Sequence, residues 1–439
     1  AVARMRPMLS PFTARPRPLA WIGRDAWLII SARSLRGLAQ TSIGIVLAIY
    51  LDLLGFSLAQ IGLFFSFGIA GSALFSVAIV FFGNALGRRQ LLAGFTVLTG
   101  VTGVALALTD QFVLLAFIAF VGSFNVGGGG PAGPVQPLER ASMAETAPAE
   151  KRTDMFAIYS MAATGVRALG ALAAALPVVF QSLFGLDELP SYKVMFAGYA
   201  IVSLVAGLLY LMLSPAVEGD VQRRAWTNPF RLPSRRLIFS IAGLMAVDSF
   251  ATRLVMQAVV ALWFVTRFGF ELEQVAYLFV GSTIMNTISI WVGAKLANRY
   301  GLVNTIVLTH VPAVVTVFAI PFMPNAGAAV AVWLARAFFS QMDVGTKQSY
   351  TMAIVDSDER VAMAGVSNVA QSGLSIASPS VSFFLWSTIW IGAPFIATGV
   401  FKSLYLLGFY VLFRRVRPPE EQARADREAL PAAGRESGG

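Results

Sequence analysis

Long apolar segments, separated by short polar or charged turns, run along the whole chain. A helix needs about 20 mostly apolar residues to cross the hydrocarbon core of a bilayer. Segments of this kind predict twelve transmembrane helices, near residues 28–54, 59–82, 90–109, 112–136, 154–180, 191–213, 237–266, 272–294, 303–322, 327–346, 361–386 and 391–413. The expected fold class is therefore all-α integral membrane.

The same pattern occurs twice, about half a chain apart. The segments YLDLLGFSLAQIG (50–62) and FVTRFGFELEQVA (264–276) share Gly, Phe, Leu and Gln at positions 214 residues apart. Asn84 and Asn298 keep the same offset, and a later echo at Arg152 and Arg360 has an offset of 208. A duplicated multi-helix unit in an apolar chain is typical of secondary transporters. We expect two six-helix repeats around a central cavity.

The repeat and the polar segments together predict five parts of the chain. The expected division is a cytoplasmic N-terminal tail at 1–27, an N-terminal six-helix half at 28–213, a cytoplasmic linker at 214–236, a C-terminal six-helix half at 237–413, and a cytoplasmic tail at 414–439. The last part is polar and without aromatic residues, so we expect it to be disordered.

Composition supports a membrane location. Hydrophobic residues make up 56% of the chain and charged residues only 13%, with a mean hydropathy of +0.70. Soluble domains carry roughly 25% charged residues, so the apolar surplus must face lipid. The net charge of +10 comes from basic residues scattered between apolar segments, which indicates orientation of membrane loops and not nucleic-acid binding.

Lysine and arginine positions predict the orientation. In the twelve-helix arrangement, one side carries most of the basic loop residues, and the other carries Asp52, Asp110, Asp187 and Glu188. The basic side holds Arg4, Arg6, Arg15, Arg17, Arg24, Arg88, Arg89, Lys151, Arg152, Arg299, Arg360, Arg414, Arg415 and Arg417. The positive-inside rule therefore predicts a multi-pass protein of the cytoplasmic (inner) membrane with both termini in the cytoplasm.

The segment FFGNALGRRQLL after the second predicted helix resembles the loop that marks the major facilitator superfamily, whose pattern is Gly-x-Leu-Ala-Asp-Arg-x-Gly-Arg-Arg. Its echo after the eighth helix is GAKLANRYG. The chain departs from the pattern, because Asn84 and Asn298 replace the loop aspartate and Ala85 replaces the following arginine in the first copy. In that family the aspartate helps to latch the two halves on the cytoplasmic side. The resemblance thus implies that an amide hydrogen bond takes over the latch here.

Two loops related by the repeat, Leu138–Arg152 and Lys347–Arg360, complete the expected cytoplasmic gate. We interpret them as carrying ion pairs between the halves, with a solvated loop as the alternative. The predicted gate residues are Asn84, Arg88, Arg89, Asn298, Arg299, Glu139, Arg152, Lys347 and Arg360.

Ionisable residues inside the predicted spans are the candidate site. A charged side chain at bilayer depth costs about 2.5–3.5 kcal/mol on insertion scales, so each should face a cavity or a partner. One hypothesis is a cationic cavity for an anionic or zwitterionic solute, with Asp248 or Asp343 as the proton site. In the alternative, these carboxylates only neutralise arginines of neighbouring helices. The candidate residues are Asp248, Asp343, Arg253, Arg336, Arg167, Gln341, Gln257 and Asn125.

Other interior residues receive structural interpretations. Arg336 and Asp343 are seven apart, which predicts one shared helical face. Arg33 and Arg36 are expected to be snorkelling anchors at the inner surface. The glycine-rich run FNVGGGGPAGPVQP (124–137) must interrupt the fourth helix, either lining a cavity or allowing close packing.

The chain has no cysteine, which excludes disulfides and thiolate metal sites, and its single histidine, His310, lacks co-ligands for a metal. No cofactor is expected. We interpret His310 as a capping or packing residue, with a proton relay as the alternative.

These patterns and the resemblance predict a secondary-active transporter of a small solute that works by alternating access. Proton coupling is the default because the spans contain carboxylates, and export is favoured because Phe and Met are abundant. The alternatives are an integral membrane enzyme acting on lipid and a non-transporting receptor. The expected partners are a small-molecule solute, protons and the lipid bilayer.

Overall fold

The computed structural model describes residues 21–122, 135–146, 152–218, 232–300, 302–343, 347 and 359–413. Every regular element in these ranges is helical. The α-helices are α1 Arg24–Leu53, α2 Leu58–Leu86, α3 Arg88–Leu108, α4 Phe112–Val121, α5 Val135–Thr146, α6 Arg152–Ala173, α7 Leu176–Phe184, α8 Glu188–Leu211, α9 Arg235–Leu254, α10 Gln257–Phe268, α11 Leu272–Tyr300, α12 Leu302–Ala319, α13 Ala326–Ser340, α14 Arg360–Ser375, α15 Ser378–Thr388 and α16 Ala393–Phe413. Of the predicted N-terminal tail, 1–27, only residues 21–27 are described, and they include the start of α1. The predicted C-terminal tail, 414–439, lies outside the described residues.

Helices occupy all twelve segments that the hydropathy pattern predicts. By length and composition, seven of the described helices or helix pairs can cross a membrane, or eight when the pair Ile158–Ala173 and Leu176–Phe184, bent by 40°, counts as one span. Shorter apolar helices fill much of the remaining segments, at Phe112–Val121, Ile306–Phe322 and Ala326–Ser340. The all-α membrane class is confirmed, while the count of twelve spans is met only in part.

The repeated sequence motif forms the same turn twice. Gly55 and Gly269 both adopt positive φ angles, of 80° and 66°, which an L side chain rarely adopts. Five residues later, Gln60 accepts a hydrogen bond from the backbone N–H of Ser57 at 2.9 Å, and Gln274 does the same for Glu271 at 3.0 Å. These contacts satisfy donors at the starts of α2 and α11 that have no intrahelical partner.

Three of the predicted spans are broken. Proline at the second position of α7 and of α15 (Pro177 and Pro379) marks two of the breaks. The third was not predicted: the sequence indicated one helix over 237–266, but α9 ends at Leu254 and α10 begins at Gln257. The freed carbonyl of Leu254 accepts a hydrogen bond from Ser382 Oγ at 2.7 Å, because an unpaired backbone group is costly within a bilayer.

In the predicted fourth and tenth spans, the first described helix ends before the predicted span does. Helix α4 ends at Val121 and α5 begins at Val135, on either side of most of the glycine-rich run, which lies outside the described residues. Helix α13 ends at Ser340, and a turn leads to Asp343. Arg336 and Asp343 therefore do not share one regular helix, which corrects the prediction of a common face.

We call the end of the bundle where α1 begins and α16 ends the terminal face, and the other end the opposite face. At the terminal face, Asp25 at the start of α1 accepts hydrogen bonds from the backbone N–H of Ser214, at 3.1 Å, and from its hydroxyl, at 2.5 Å. This contact fixes the end of α8 to the start of α1. The sequence predicts that the terminal face is cytoplasmic.

The predicted linker begins with a 3₁₀ turn, Pro215–Glu218, and its residues 219–231 lie outside the described ranges. The carboxylate of Glu218 accepts the backbone N–H groups of Arg88 at 2.6 Å and of Arg89 at 3.1 Å. A carboxylate suits this position, because free N–H groups and the positive end of the helix dipole meet at the start of α3. The loop motif at 87–89 is thus held by the linker.

Buried apolar side chains form three clusters. The largest draws on both halves and lies towards the opposite face, where Tyr50 of α1 belongs to the same cluster as Trp263 and Phe264 of α10. The two smaller clusters lie towards the terminal face. Among the described side chains, one contains only residues between 22 and 217, such as Ile29, and the other only residues between 238 and 409, such as Ile241. In this part of the chain, the halves share a core at the opposite face and have separate cores towards the terminal face.

Direct contact between the halves is closest where α2 meets α15. A Cβ atom added to Gly62 would lie 3.0 Å from the Cα of Ser380, so the two backbones approach closely there. One turn further along α2, the hydroxyl groups of Ser66 and Ser380 lie 2.8 Å apart. Small residues permit this approach, as is common where helices pack within membranes.

We expect Gly71→Ala to destabilise the protein. A Cβ atom at Gly71 would lie 1.8 Å from the carbonyl oxygen of Phe120 in α4, so α2 and α4 would have to move apart. Overpacking of this kind costs about 1–3 kcal/mol. The loss should appear as a lower thermal unfolding midpoint of the purified protein, followed by tryptophan fluorescence.

Gly198→Ala is the matched control, because no atom lies within 4 Å of a Cβ added to this glycine of α8. It should leave stability unchanged or raise it by about 0.5–1 kcal/mol, since alanine favours a helix. Equal midpoints for the two variants would contradict the close packing of α2 on α4.

Candidate functional site

Two groups of charged and polar side chains are buried in the bundle, one in each half. We call Arg33, Arg36, Glu139, Tyr159 and Tyr210 the N cluster. We call Asp248, His310, Asp343, Lys347 and Lys402 the C cluster. Glu139 and Lys347 are 208 positions apart, the offset of the third sequence echo, so corresponding sites in the repeat carry opposite charges.

The N cluster surrounds one carboxylate. Glu139 is fully buried, and its Oε1 lies 2.5 Å from Nη1 of Arg36 and also accepts a hydrogen bond from the hydroxyl of Tyr210. Its Oε2 accepts a hydrogen bond from Tyr159 at 2.5 Å. Nε of Arg33 lies 3.8 Å away. A single negative charge thus faces two guanidinium groups and two phenols.

Helix geometry brings these groups together. Arg33 and Arg36 are three residues apart on α1 and therefore point to the same side of that helix. Glu139 comes from α5, Tyr159 from α6 and Tyr210 from the last turn of α8. Arg33 and Arg36 were expected to snorkel to the inner surface, yet both side chains are buried and paired with Glu139. That prediction was wrong, because a carboxylate from another helix satisfies them inside the bundle.

The C cluster contains two carboxylates and two ammonium groups. Asp248 accepts hydrogen bonds from Lys402 and Lys347, each at 2.8 Å and each through a different carboxylate oxygen. Lys347 also lies 2.7 Å from Oδ2 of Asp343. Lys347 therefore bridges the two aspartates, and its ammonium group lies 5.0 Å from the centre of the Tyr405 ring.

His310 lies between the same two carboxylates. Its Nδ1 is 2.8 Å from Oδ2 of Asp343, and its Nε2 is 3.7 Å from Oδ1 of Asp248. Capping and packing were the favoured interpretations of this residue, and its contacts with two acids were not predicted. The sequence places these residues inside spans but carries no signal of which helices are neighbours. The aspartates were expected to pair with arginines, and their partners among the described residues are instead lysines and His310.

The remaining candidate site residues lie outside the two clusters. Arg253 is buried in the last turn of α9, and the guanidinium of Arg336 stacks on the Trp333 ring at 4.6 Å. Arg167 is exposed on α6. Gln257 begins α10 and Gln341 follows α13, both half-buried. The last candidate, Asn125, lies outside the described residues.

The expected gate residues have other partners. The two gate loops were expected to carry ion pairs between the halves. Among the described residues, Glu139 pairs with Arg36, and Lys347 pairs with Asp248 and Asp343, each within its own half. This corrects the expectation for these two residues. Arg88 and Arg89 offer backbone N–H groups to Glu218. The side chains of Asn84, Arg152, Asn298, Arg299 and Arg360 lie outside the described part of the chain.

The C cluster places one imidazole among two carboxylates and two ammonium groups. In the part of the chain that the structure describes, no three His, Cys, Asp or Glu side chains have an arrangement that could hold a metal ion. The N cluster holds a fixed charge pattern, since arginine does not titrate in the physiological range.

Comparison with known proteins gives a consistent picture. The sequence profile of the Major Facilitator Superfamily matches residues 29–379. A curated relative, the uncharacterized membrane protein YJR124C of Saccharomyces cerevisiae, is 28% identical over 201 residues. That match covers 45% of this chain and 44% of the yeast protein, so it spans less than half of the relative.

Solved structures of transporters share the fold. A D-xylose-proton symporter superposes with a TM-score of 0.71 at 15% identity, over 91% of this chain and 98% of the symporter. The nucleoside transporter NupG gives 0.67 at 14% identity, over 89% and 99% of the two chains. A bacterial homologue of the human lysosomal transporter Spinster, in an inward-facing and unoccupied conformation, gives 0.70 at 14% identity, over 90% and 97%. At these identities the likeness is one of fold.

We expect Glu139→Gln to destabilise the N-terminal half strongly. The substitution keeps the size of the side chain but leaves Arg33 and Arg36 without a negative partner in a buried site. Breaking a buried pair in this way costs about 3–5 kcal/mol. Thermal unfolding of the purified protein measures the loss.

Lys193→Gln serves as the control, because it breaks the exposed 3.0 Å pair with Asp110. Exposed pairs contribute about 0–1 kcal/mol, so its midpoint should stay near that of the unmodified protein. If Glu139→Gln were as mild as Lys193→Gln, the N cluster would not be a structural centre.

Proposed function

The chain belongs to the Major Facilitator Superfamily and is a membrane transporter, and we propose that it moves a small solute across the cytoplasmic membrane by alternating access. In this mechanism the two six-helix halves rock against each other around a central site. The proposed halves are residues 28–213 and 237–413, joined by the linker 214–236, with both termini in the cytoplasm. The alternative of an integral membrane enzyme is set aside, because membership of this family indicates a transporter.

One observation carries the proposal: among the described side chains, the halves share an apolar core at the opposite face and have separate cores towards the terminal face. This arrangement supports a bundle that is closed at the opposite face and opens at the terminal face. If the terminal face is cytoplasmic, as the basic residues predict, this state faces inward. The similar structure of the bacterial Spinster homologue is also described as inward-facing.

The closed end is suited to opening. Its contacts between the halves are mainly apolar, with the hydrogen bond between Ser66 and Ser380 as a weak polar addition. Both clusters of buried ion pairs lie within single halves, so rocking does not require any of their pairs to break. Each half can therefore move as a unit.

We assign proton coupling to the C cluster. Nδ1 of His310 lies 2.8 Å from Oδ2 of Asp343, and Nε2 faces Asp248 at 3.7 Å and is buried without a hydrogen bond. A proton taken up at Nε2 would give Asp248 a third cationic neighbour and weaken its hold on Lys347 and Lys402. Lys347 bridges both aspartates, so a change at either one alters the whole cluster.

Export is the proposed direction of transport. The chain contains 34 phenylalanine and 14 methionine residues, and a cavity lined by such side chains suits amphipathic solutes.

Distances between pairs of spin labels test the alternating-access proposal. The chain contains no cysteine, so labels attach only at the introduced cysteines. One cysteine pair replaces the exposed residues Ala59 and Glu273 at the opposite face, and another replaces Arg24 and Arg236 at the terminal face. We expect two populations for each pair. A change of pH should lengthen one pair while it shortens the other.

A single distance for each pair under all conditions would contradict alternating access and would favour a non-transporting receptor. The labelled proteins must keep the unfolding midpoint of the unlabelled protein, which controls for damage by the labels.

Asp343→Asn and Asp248→Asn test the coupling site. Lys347 keeps one carboxylate partner in each variant, so we expect both proteins to fold. Because Asp248→Asn also removes the described carboxylate partner of Lys402, the unfolding midpoint of each variant is measured alongside transport. The probe solute is one that raises the unfolding midpoint in a library screen. In proteoliposomes, we expect at least one variant to keep solute exchange at equal pH but to lose accumulation driven by a pH gradient.

Asp52→Asn is the control, because Asp52 is exposed at the opposite-face end of α1, far along that helix from the N cluster. It should accumulate solute normally. Unchanged pH dependence in both cluster variants would show that the proton binds elsewhere.

A further inference from the structure

The two clusters and the candidate arginines together carry more positive than negative charge. Their basic members are Arg33, Arg36, Arg167, Arg253, Arg336, Lys347 and Lys402. Their acidic members are Glu139, Asp248 and Asp343. With His310 neutral, these described groups have an excess of four positive charges.

Each half contributes two of these charges, and in the C-terminal half they are Arg253 and Arg336, which lie outside the C cluster. In the C cluster, the two aspartates balance Lys347 and Lys402. In the N cluster, Glu139 is the only acid for two guanidinium groups, and Arg36 holds the shorter contact. Arg33 lies farther from the carboxylate, and its Nε is buried without a hydrogen bond. Arg33, more than nine-tenths buried, is thus only partly neutralised.

Arg167 adds a second positive charge to the interface between α1 and α6 on which Arg33 lies. On α6, Tyr159, Ala163, Arg167 and Gly170 follow the three- and four-residue spacing of one helical face. That face packs on α1: the Tyr159 ring lies 6.0 Å from the guanidinium carbon of Arg33, and a Cβ on Gly170 would lie 2.6 Å from the carbonyl oxygen of Leu38.

Arg167 is exposed although it belongs to this packed face. We infer that the accessible surface of the Arg167 side chain faces the space between helices and not the lipid, where a guanidinium would be costly. Arg167 lies on the same α1–α6 interface as Arg33, and no carboxylate among the described residues forms an ion pair with it. Two guanidinium groups on one helix interface with a single carboxylate favour the binding of an anion.

We propose that Arg33 and Arg167 form the subsite that binds the anionic group of the transported solute, so that the substrate class is organic anions with a carboxylate or phosphate group. This assignment rests on the proposed transport function and deepens it. Guanidinium groups bind the oxygen atoms of such anions through paired, charge-assisted hydrogen bonds. Glu139 acts as a positioning residue, because it holds Arg36 and orients Arg33 without neutralising both.

The test uses the full chain in nanodiscs of phosphatidylcholine, which lack anionic lipid. Phenyl phosphate and benzoate are the anionic probes, and benzylamine and benzyl alcohol are cationic and neutral probes of similar size. The thermal unfolding midpoint is followed against probe concentration. We expect at least one anionic probe to raise the midpoint, with an apparent affinity that falls as salt is added.

The variants Arg33→Gln and Arg167→Gln should each weaken binding of that anion about ten- to a hundredfold, the usual effect of losing a charge-assisted hydrogen bond. Arg167→Gln should fold normally, since it breaks no described ion pair. Arg267→Gln, at an exposed position near the opposite face, is the matched control and should bind as the unmodified protein does.

Several results would overturn the assignment. They are stabilisation by the neutral or cationic probe with equal affinity, anion binding that survives both arginine variants, and binding of neither anionic probe. A fourth is stabilisation only when phosphatidylglycerol is added to the nanodiscs, which would identify a lipid headgroup as the ligand. None of these four results affects the spin-label distances. The assignment of organic anions as substrates can therefore be contradicted while the alternating-access proposal is still supported.

Discussion

The energetic cost of burying charge in an apolar bundle governs this structure. A charged side chain inside a membrane protein is tolerated where it finds a partner or a water-filled space. Each half of the chain meets this requirement with its own cluster, centred on Glu139 in one half and on Lys347 in the other. Removing one member of such a pair costs more than the pair contributes, because the remaining charge stays buried. The clusters therefore fix the helices of each half relative to one another.

The contacts between the halves are of a different kind. They are mainly apolar and lie at the opposite face, where the largest core cluster combines side chains of α1 and α10. Apolar contact is not directional, so such surfaces can separate and meet again without a specific partner being lost. In the proposed mechanism, directional ion pairs inside each half and non-directional packing between the halves let each half move as a unit. Alternating access requires such movement.

The two copies of the repeat have kept their backbone and changed their charges. Gly55 and Gly269 form the same turn, and Gln60 and Gln274 cap the helices that follow. Glu139 and Lys347, by contrast, occupy corresponding positions with opposite charge. The N cluster thus has more guanidinium groups than carboxylates, and it is the cluster to which we assign the anion. The C cluster has two acids and two lysines around one imidazole, and it is the cluster to which we assign the proton.

The sequence by itself determined the helical class, the repeat and the candidate charges, because a bilayer imposes a minimum apolar length and a high cost on each charge. The break between α9 and α10 carried no proline signal and was missed. The partners of His310, Arg33 and Asp248 were also missed. Only the tertiary structure decided these, since each pair joins separate helices, and their relative rotation and depth follow from side-chain packing over the whole bundle.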